Sequence, residues 1–276
     1  MQHVVKTIIT VAAIAAISVF AAGCGSSSNS GSSSSQDKKS VKVGVIQGLH
    51  AEIMEEVKKV AAKDGLNIQI VEFNDYIQPN IALNQGELEA NSYQHQPFLD
   101  NQIQERKYAL TSVAKTVIFP MAAYSKKVKS AAELKDGAIV AIPNDPTNAG
   151  RALLLLEKQG LLKLKEGAGL KATVADVVGN PKNIQLRELE AAQVPRSMED
   201  VDLAVINTNY ALVAGLVPTK DSLFIEDGNS PYANVIAVRT QDKDNPAVQK
   251  LLKAYQSAEV KKFVAEHFKG SALSAW

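Results

Sequence analysis

From Val41 onward the chain alternates short β-like runs with helical ones, and this alternation starts twice. Strands are expected at 41–46, 67–73 and 87–93. Between them, residues 51–63 place Ile53, Val57, Val60 and Ala61 on one helical face. Pro79 suits the first turn of a helix stopped by Gly86, and another helix opens at Pro97. An extended run, 110–124, is broken at Pro120. The alternation then restarts with strands at 138–142, 184–189, 202–206 and 233–239. Helices are expected at 148–159 and 208–215, with a terminal helix carrying Val248, Leu251, Leu252 and Tyr255. Alternating β and α segments imply α/β layers with mostly parallel sheets, and two restarts joined by an extended connector imply two lobes.

The 276 residues suffice for such an architecture. Net charge is +1, which removes the electrostatic footprint of a nucleic-acid binder. A single cysteine excludes an intrachain disulfide. That cysteine, Cys24, ends the stretch VFAAGC, after Lys6 and a mostly apolar run from Ile8 to Ala22. The run is short for a bilayer span but suits the core of a signal peptide at 1–23. Small residues before Cys24 resemble a lipobox, with Ala21 where Leu is usual. The Ser-rich tract that follows cannot bury apolar area, so 24–40 reads as a lipidated cysteine and flexible tether. The expected location is the extracytoplasmic face of a bacterial membrane, by lipid anchor.

Unusual polar residues fall just past strands: His95 after the third, Arg151 after 138–142, Asn207 after 202–206. Ligands of open α/β sheets bind outside the carboxyl ends of strands, so these positions point to a cleft between lobes. Arg151 is expected in the first turn of its helix, where the dipole disfavours a cation. Either a ligand carboxylate joins it, or it pairs with a nearby acid or faces solvent. His95 has a purely structural alternative, Tyr76 and Tyr93 can be packing residues, and Asn207 and Asn234 can cap turns.

Longer motifs carry a resemblance. FNDYIQPNIAL, SYQHQPFL, VAIPNDPTNAGRALLLLEKQGLLKLK, PKNIQLRELEAAQVPRS, LAVINTNYA and SPYANVIAV resemble, in this order, the NlpA/MetQ family of methionine-binding lipoproteins. The resemblance runs from about Val41 to Trp276. It implies a two-lobed, type II periplasmic-binding-protein-like fold that closes over free methionine and delivers it to an ABC permease and ATPase. By the same resemblance Arg151 takes the substrate carboxylate, assisted by Asn148. Asn207 and Asn234 hold the polar head, and Tyr76, Tyr93 and His95 surround the thioether. GLHAEI (48–53) matches more loosely, and no residue of it is assigned to the site.

The expected lobes are 41–118 plus 239–276 and 119–238, in a monomer needing no cofactor. A methionine-containing dipeptide, D-methionine or another apolar amino acid are alternative ligands, and a surface adhesin is the alternative from another class. An enzyme finds little support. H-E-x-x-H, G-x-S-x-G and G-x-x-x-x-G-K-[ST] are all missing, and His3, His50, His95 and His267 lie far apart in sequence. The same scatter argues against a metal site, and the G-x-G at Gly167–Gly169 reads as a turn.

Overall fold

Alternating apolar runs give the chain order β1 (Ser40–Ile46), α1 (Leu49–Lys63), β2 (Asn67–Phe73), α2 (Gln78–Gln85), β3 (Ala90–His95) and α3 (Gln96–Arg106). An extended stretch follows, β4 (Leu110–Lys115), β5 (Val117–Ile118) and β6 (Ala122–Tyr124), and then β7 (Ile139–Pro143) and α4 (Pro146–Lys158). The chain continues through β8 (Lys163–Leu164), β9 (Val177–Gly179), β10 (Gln185–Leu189), β11 (Leu203–Ile206), α5 (Thr208–Val213), α6 (Pro218–Asp221) and β12 (Phe224–Ile225). It closes with β13 (Asn234–Arg239), α7 (Pro246–Tyr255), α8 (Ala258–Phe268) and β14 (Leu273–Ser274). The structure is a computed structural model that describes residues 40–228 and 230–276. The expected signal peptide, Cys24 and nearly all of the tether lie outside the described residues. Among those described, no helix is long and apolar enough to cross a membrane.

Two five-stranded sheets carry the fold, in orders β2-β1-β3-β13-β4 and β10-β7-β11-β6-β12. In each, four strands run one way and the fifth, β13 or β6, runs against them, so the sheets are mixed within the expected α/β fold. β1 pairs in parallel with β2 and β3, and β7 with β10 and β11. β13 and β6, by contrast, run antiparallel to both of their neighbours. The physical reason is the route of the chain: parallel neighbours need a helical crossover, whereas β6 and β13 each arrive from the other sheet by a short extended segment. Because β13 lies between β3 and β4, residues 234–238 belong with the first sheet, not with 119–238 as expected.

Each sheet buries its own apolar layer. Val43, Val45, Ile53, Val57, Val248, Leu251 and Val264 form one core, so the C-terminal helices pack on α1 and β1. Val140, Ile142, Leu153, Leu156, Leu203 and Val205 form the other. A third cluster draws Tyr93 and Phe98 from elements of the first sheet and Ile206, Tyr210 and Ala211 from those of the second.

The helix that opens the PTNAGR motif starts two residues earlier than expected. Asp145 is its N-cap and accepts from the Asn148 N–H at 2.9 Å, while Pro146 takes the first position, where a missing N–H is harmless. Arg151 therefore stands in the second turn. One residue before it, Gly150 lets a 3₁₀ turn (Gly169–Lys171) approach α4 closely: a Cβ there would lie 2.9 Å from the Leu170 carbonyl oxygen.

Candidate ligand-binding site

The carboxyl ends of β3, β7 and β11 deliver side chains to one cavity. All seven residues expected from the sequence line it: Tyr76, Tyr93, His95, Asn148, Arg151, Asn207 and Asn234. Asn234 reaches it from the start of its strand, because antiparallel pairing sets it opposite His95 at the end of β3. His50, Gln94, Phe98, Phe119, Thr208 and Asn209 also line the cavity and were not expected. His50 follows the end of β1, the same placement that singled out His95.

The polar groups are ordered by groups that can act in only one way. The Phe98 N–H can only donate, and it donates to His95 Nδ1 at 3.1 Å. A neutral His95 ring thus carries its proton on Nε2, which lies 3.2 Å from Asn148 Oδ1. Asn148 is oriented from its other end, where Nδ2 donates to both Asp145 carboxylate oxygens at 3.0 and 2.9 Å. Its Oδ1 also receives Asn207 Nδ2 at 2.8 Å. This leaves Asn207 Oδ1 buried without a hydrogen-bond partner among the described residues. Asn209 Nδ2 and Tyr232 Oη are in the same state.

Beside His95, Asn234 Nδ2 donates to the Tyr93 carbonyl at 3.2 Å, and His50 Nε2 lies 3.2 Å from the same nitrogen. His50 Nδ1 is buried without a hydrogen-bond partner among the described residues. Burial lowers the pKa of His50 from 6.5 to about 3. His95 is lowered to about 3 as well, first by burial and then by the Arg151 charge, against the opposing hydrogen bond with Asn148. Both rings are neutral near pH 7. Burial pushes Asp145 upward, and the hydrogen bonds from Asn148 and Thr147 oppose it.

Arg151 is buried, and the carboxylate it holds belongs to the chain itself. Nε donates to Glu226 Oε1 at 3.1 Å, Nη2 bonds Glu226 Oε2, and Nη2 also donates to the Phe119 carbonyl at 2.9 Å. Of the two readings left open by the sequence, pairing with an acid is what the structure contains. Glu226 lies 75 residues away and follows β12, so no local pattern announces it. The Tyr232 ring covers the guanidinium at 4.3 Å, within cation–π range. Nη1 takes no part in these bonds, and Arg151 still lines the cavity.

An aromatic wall closes the far side. Tyr76 packs on Tyr210 with ring centroids 5.0 Å apart, and on Tyr93 and Phe98 at 6.0 Å each. Its hydroxyl donates to Asn209 Oδ1 at 2.6 Å, joining the loop before α2 to α5. Among the described residues no group of His, Cys, Asp and Glu is arranged to hold a metal. The arrangement offers a cation, neutral amides and rings, which suits binding of a small polar molecule with an apolar tail.

Known proteins share this frame. A solved nutrient-binding protein from Burkholderia cenocepacia bound to methionine is 55% identical, with a TM-score of 0.84 over 86% of this chain and 100% of its own. The lipoprotein Tp32 of Treponema pallidum is 38% identical, with a TM-score of 0.82 over 86% of this chain and 99% of its own. The D-methionine-binding lipoprotein MetQ of Salmonella typhimurium is 50% identical over 272 residues, 97% of this chain and 98% of the relative. The model of the NlpA lipoprotein family matches residues 41–276, from the first strand to the last residue. With its two mixed sheets and the cavity at their strand ends, the chain belongs to the NlpA lipoprotein family.

Proposed function

We propose that this chain is the substrate-binding lipoprotein of an ABC importer and that its ligand is free methionine. The observation that carries the reading is the pairing, in one cavity, of a buried guanidinium with an unpartnered amide acceptor, Asn207 Oδ1. A zwitterion needs both: Arg151 Nη1 meets the ligand carboxylate, and Asn207 with Asn234 meets the ammonium group. The thioether lies against Tyr76, Tyr93 and His95, where sulfur–ring contacts contribute roughly 0.3–1.5 kcal/mol each. The charged end supplies most of the affinity, since hydrogen bonds to charged groups are worth about 1.5–3 kcal/mol apiece. Relatives named for D-methionine and a structure bound to methionine support the ligand.

On this reading the protein captures and hands over its ligand and does not transform it. Both histidines are neutral and engaged in hydrogen bonds, which suits binding better than proton transfer. The lobes, 41–118 with the C-terminal segment and 119 to the start of β13, close around the ligand, and binding shifts the population toward that closed form. Cys24 carries the lipid that holds the monomer at the outer face of the membrane, beside the permease and ATPase. Calorimetry on protein purified without amino acids tests the reading, with L-methionine, D-methionine and a methionyl dipeptide as ligands. Heat of binding with at least one methionine enantiomer is expected, and its absence at millimolar ligand would refute the proposal.

A further inference from the structure

Asp145 is not among the residues lining the cavity, yet the orientation of the cavity's amides begins there. Its carboxylate caps α4 through the Asn148 N–H and also takes Asn148 Nδ2 on both oxygens. An amide oxygen in place of Nδ2 would set lone pairs against a carboxylate, so this contact permits only one of the two amide orientations. Asn148 Oδ1 must then face the cavity, where it receives His95 Nε2 and Asn207 Nδ2. The His95 side of that junction is fixed independently, because the Phe98 N–H holds Nδ1 as an acceptor. Asn207 is in turn left with one free pole, the acceptor Oδ1, which is buried without a partner in a side chain that is 7% exposed.

We propose that Asp145 is a positioning residue that acts through Asn148 to turn the Asn207 amide, and thereby sets the cavity's preference for a ligand bearing an ammonium group. The inference rests on the zwitterion reading above and adds what selects one half of the zwitterion. Without the carboxylate, Asn148 can rotate, Asn207 can rotate with it, and the cavity presents a donor where the ammonium group needs an acceptor. Asn148 spends its Nδ2 on Asp145 and turns an acceptor to the cavity, so, against the expectation, its side chain does not assist Arg151 at the carboxylate, and Arg151 is untouched by that rotation. The relay therefore governs discrimination at the amino end, while the affinity for a bare carboxylate stays as it was.

The test compares the full-length lipoprotein in detergent with Asp145→Ser and Asp145→Asn, both of which keep an N-cap residue for α4. Two probes are titrated: methionine and 4-(methylthio)butanoate, the same molecule without its amino group. In both variants the preference for methionine over the deamino acid is expected to shrink by roughly tenfold, as loss of one charge-assisted hydrogen bond implies. Affinity for the deamino acid should stay within about threefold if the carboxylate subsite is intact. An undiminished preference in folded variants overturns the proposal. A second readout needs no ligand: the His95 Nε2–H resonance should be protected from exchange in the unaltered protein and exchange rapidly in the variants. Equal protection in all three also overturns it. A protein that binds neither probe sinks the methionine reading instead, and the resonance still upholds or overturns the relay.

Discussion

Arg151 and Glu226 form a buried two-point pair: Nε and Nη2 of the guanidinium engage both carboxylate oxygens, with the side chains 4% and 15% exposed. Through Nη2 the arginine also holds the Phe119 carbonyl, and Glu226 accepts from the Met121 N–H at 3.3 Å. Arg151 thus ties together the outgoing and returning segments that join the two sheets. Removing it strands a partly buried carboxylate and, on the proposed reading, also removes the cation that meets the ligand. Arg151→Ala should lower the unfolding free energy by about 3–5 kcal/mol and abolish detectable methionine binding. Urea denaturation measures the first effect and calorimetry the second. A stability loss below about 1 kcal/mol would rank the pair with ordinary surface ion pairs.

Acid should weaken the fold through its histidines. The unfolded chain protonates His50 and His95 as the pH falls through 6.5, whereas the folded protein keeps both neutral down to about 3. Their contribution is therefore complete above 6.5 and declines on acidification, by up to about 1.4 kcal/mol per pH unit for each ring. Asp145, raised by burial, works in the opposite sense near its own titration. Denaturation midpoints at pH 7 and pH 5 should differ accordingly, and His95→Gln should remove about half of that difference. A flat profile between these values contradicts the assignment.

Tyr76→Phe deletes one hydroxyl and leaves Asn209 Oδ1 without its 2.6 Å donor. The bond joins elements of the two sheets, so its loss acts on the closed form. Methionine affinity should drop about fivefold, equivalent to ~1 kcal/mol for a single neutral hydrogen bond. Unaltered affinity would show that this contact is no part of closure.

Gly150→Ala should destabilise although alanine is the better helix former. Its Cβ would meet two backbone carbonyls, Leu170 O at 2.9 Å and Ala172 O at 3.0 Å, and backbone yields less readily than a side-chain tip. A net loss on the order of 1 kcal/mol is expected once the propensity gain is set against overpacking. Thermal unfolding checks it, and a higher midpoint would mean that the turn at 169–171 gives way freely.

Strand ends were the legible part of the site. Arg151 and Asn207 follow apolar runs, His95 ends the strand β3, and the cavity lies where those strands end. His50 obeys the same rule after β1 and was readable by it. Asp145 was readable too, since an acid three residues before Asn148 with proline between is an ordinary helix start. Glu226 was not, because its meaning depends on a partner 75 residues away and on the path of a connecting segment. The mixed sheets escaped for a related reason: residue periodicity marks a strand but carries no record of which way its neighbour runs.

The central place of β13 has a consequence for biogenesis. Its neighbours β3 and β4 are made well over a hundred residues earlier, and they stay apart until Asn234–Arg239 arrives between them. As the chain folds, the half containing β6 to β12 can therefore consolidate while the earlier half still waits for its keystone strand, so the portion made first matures last.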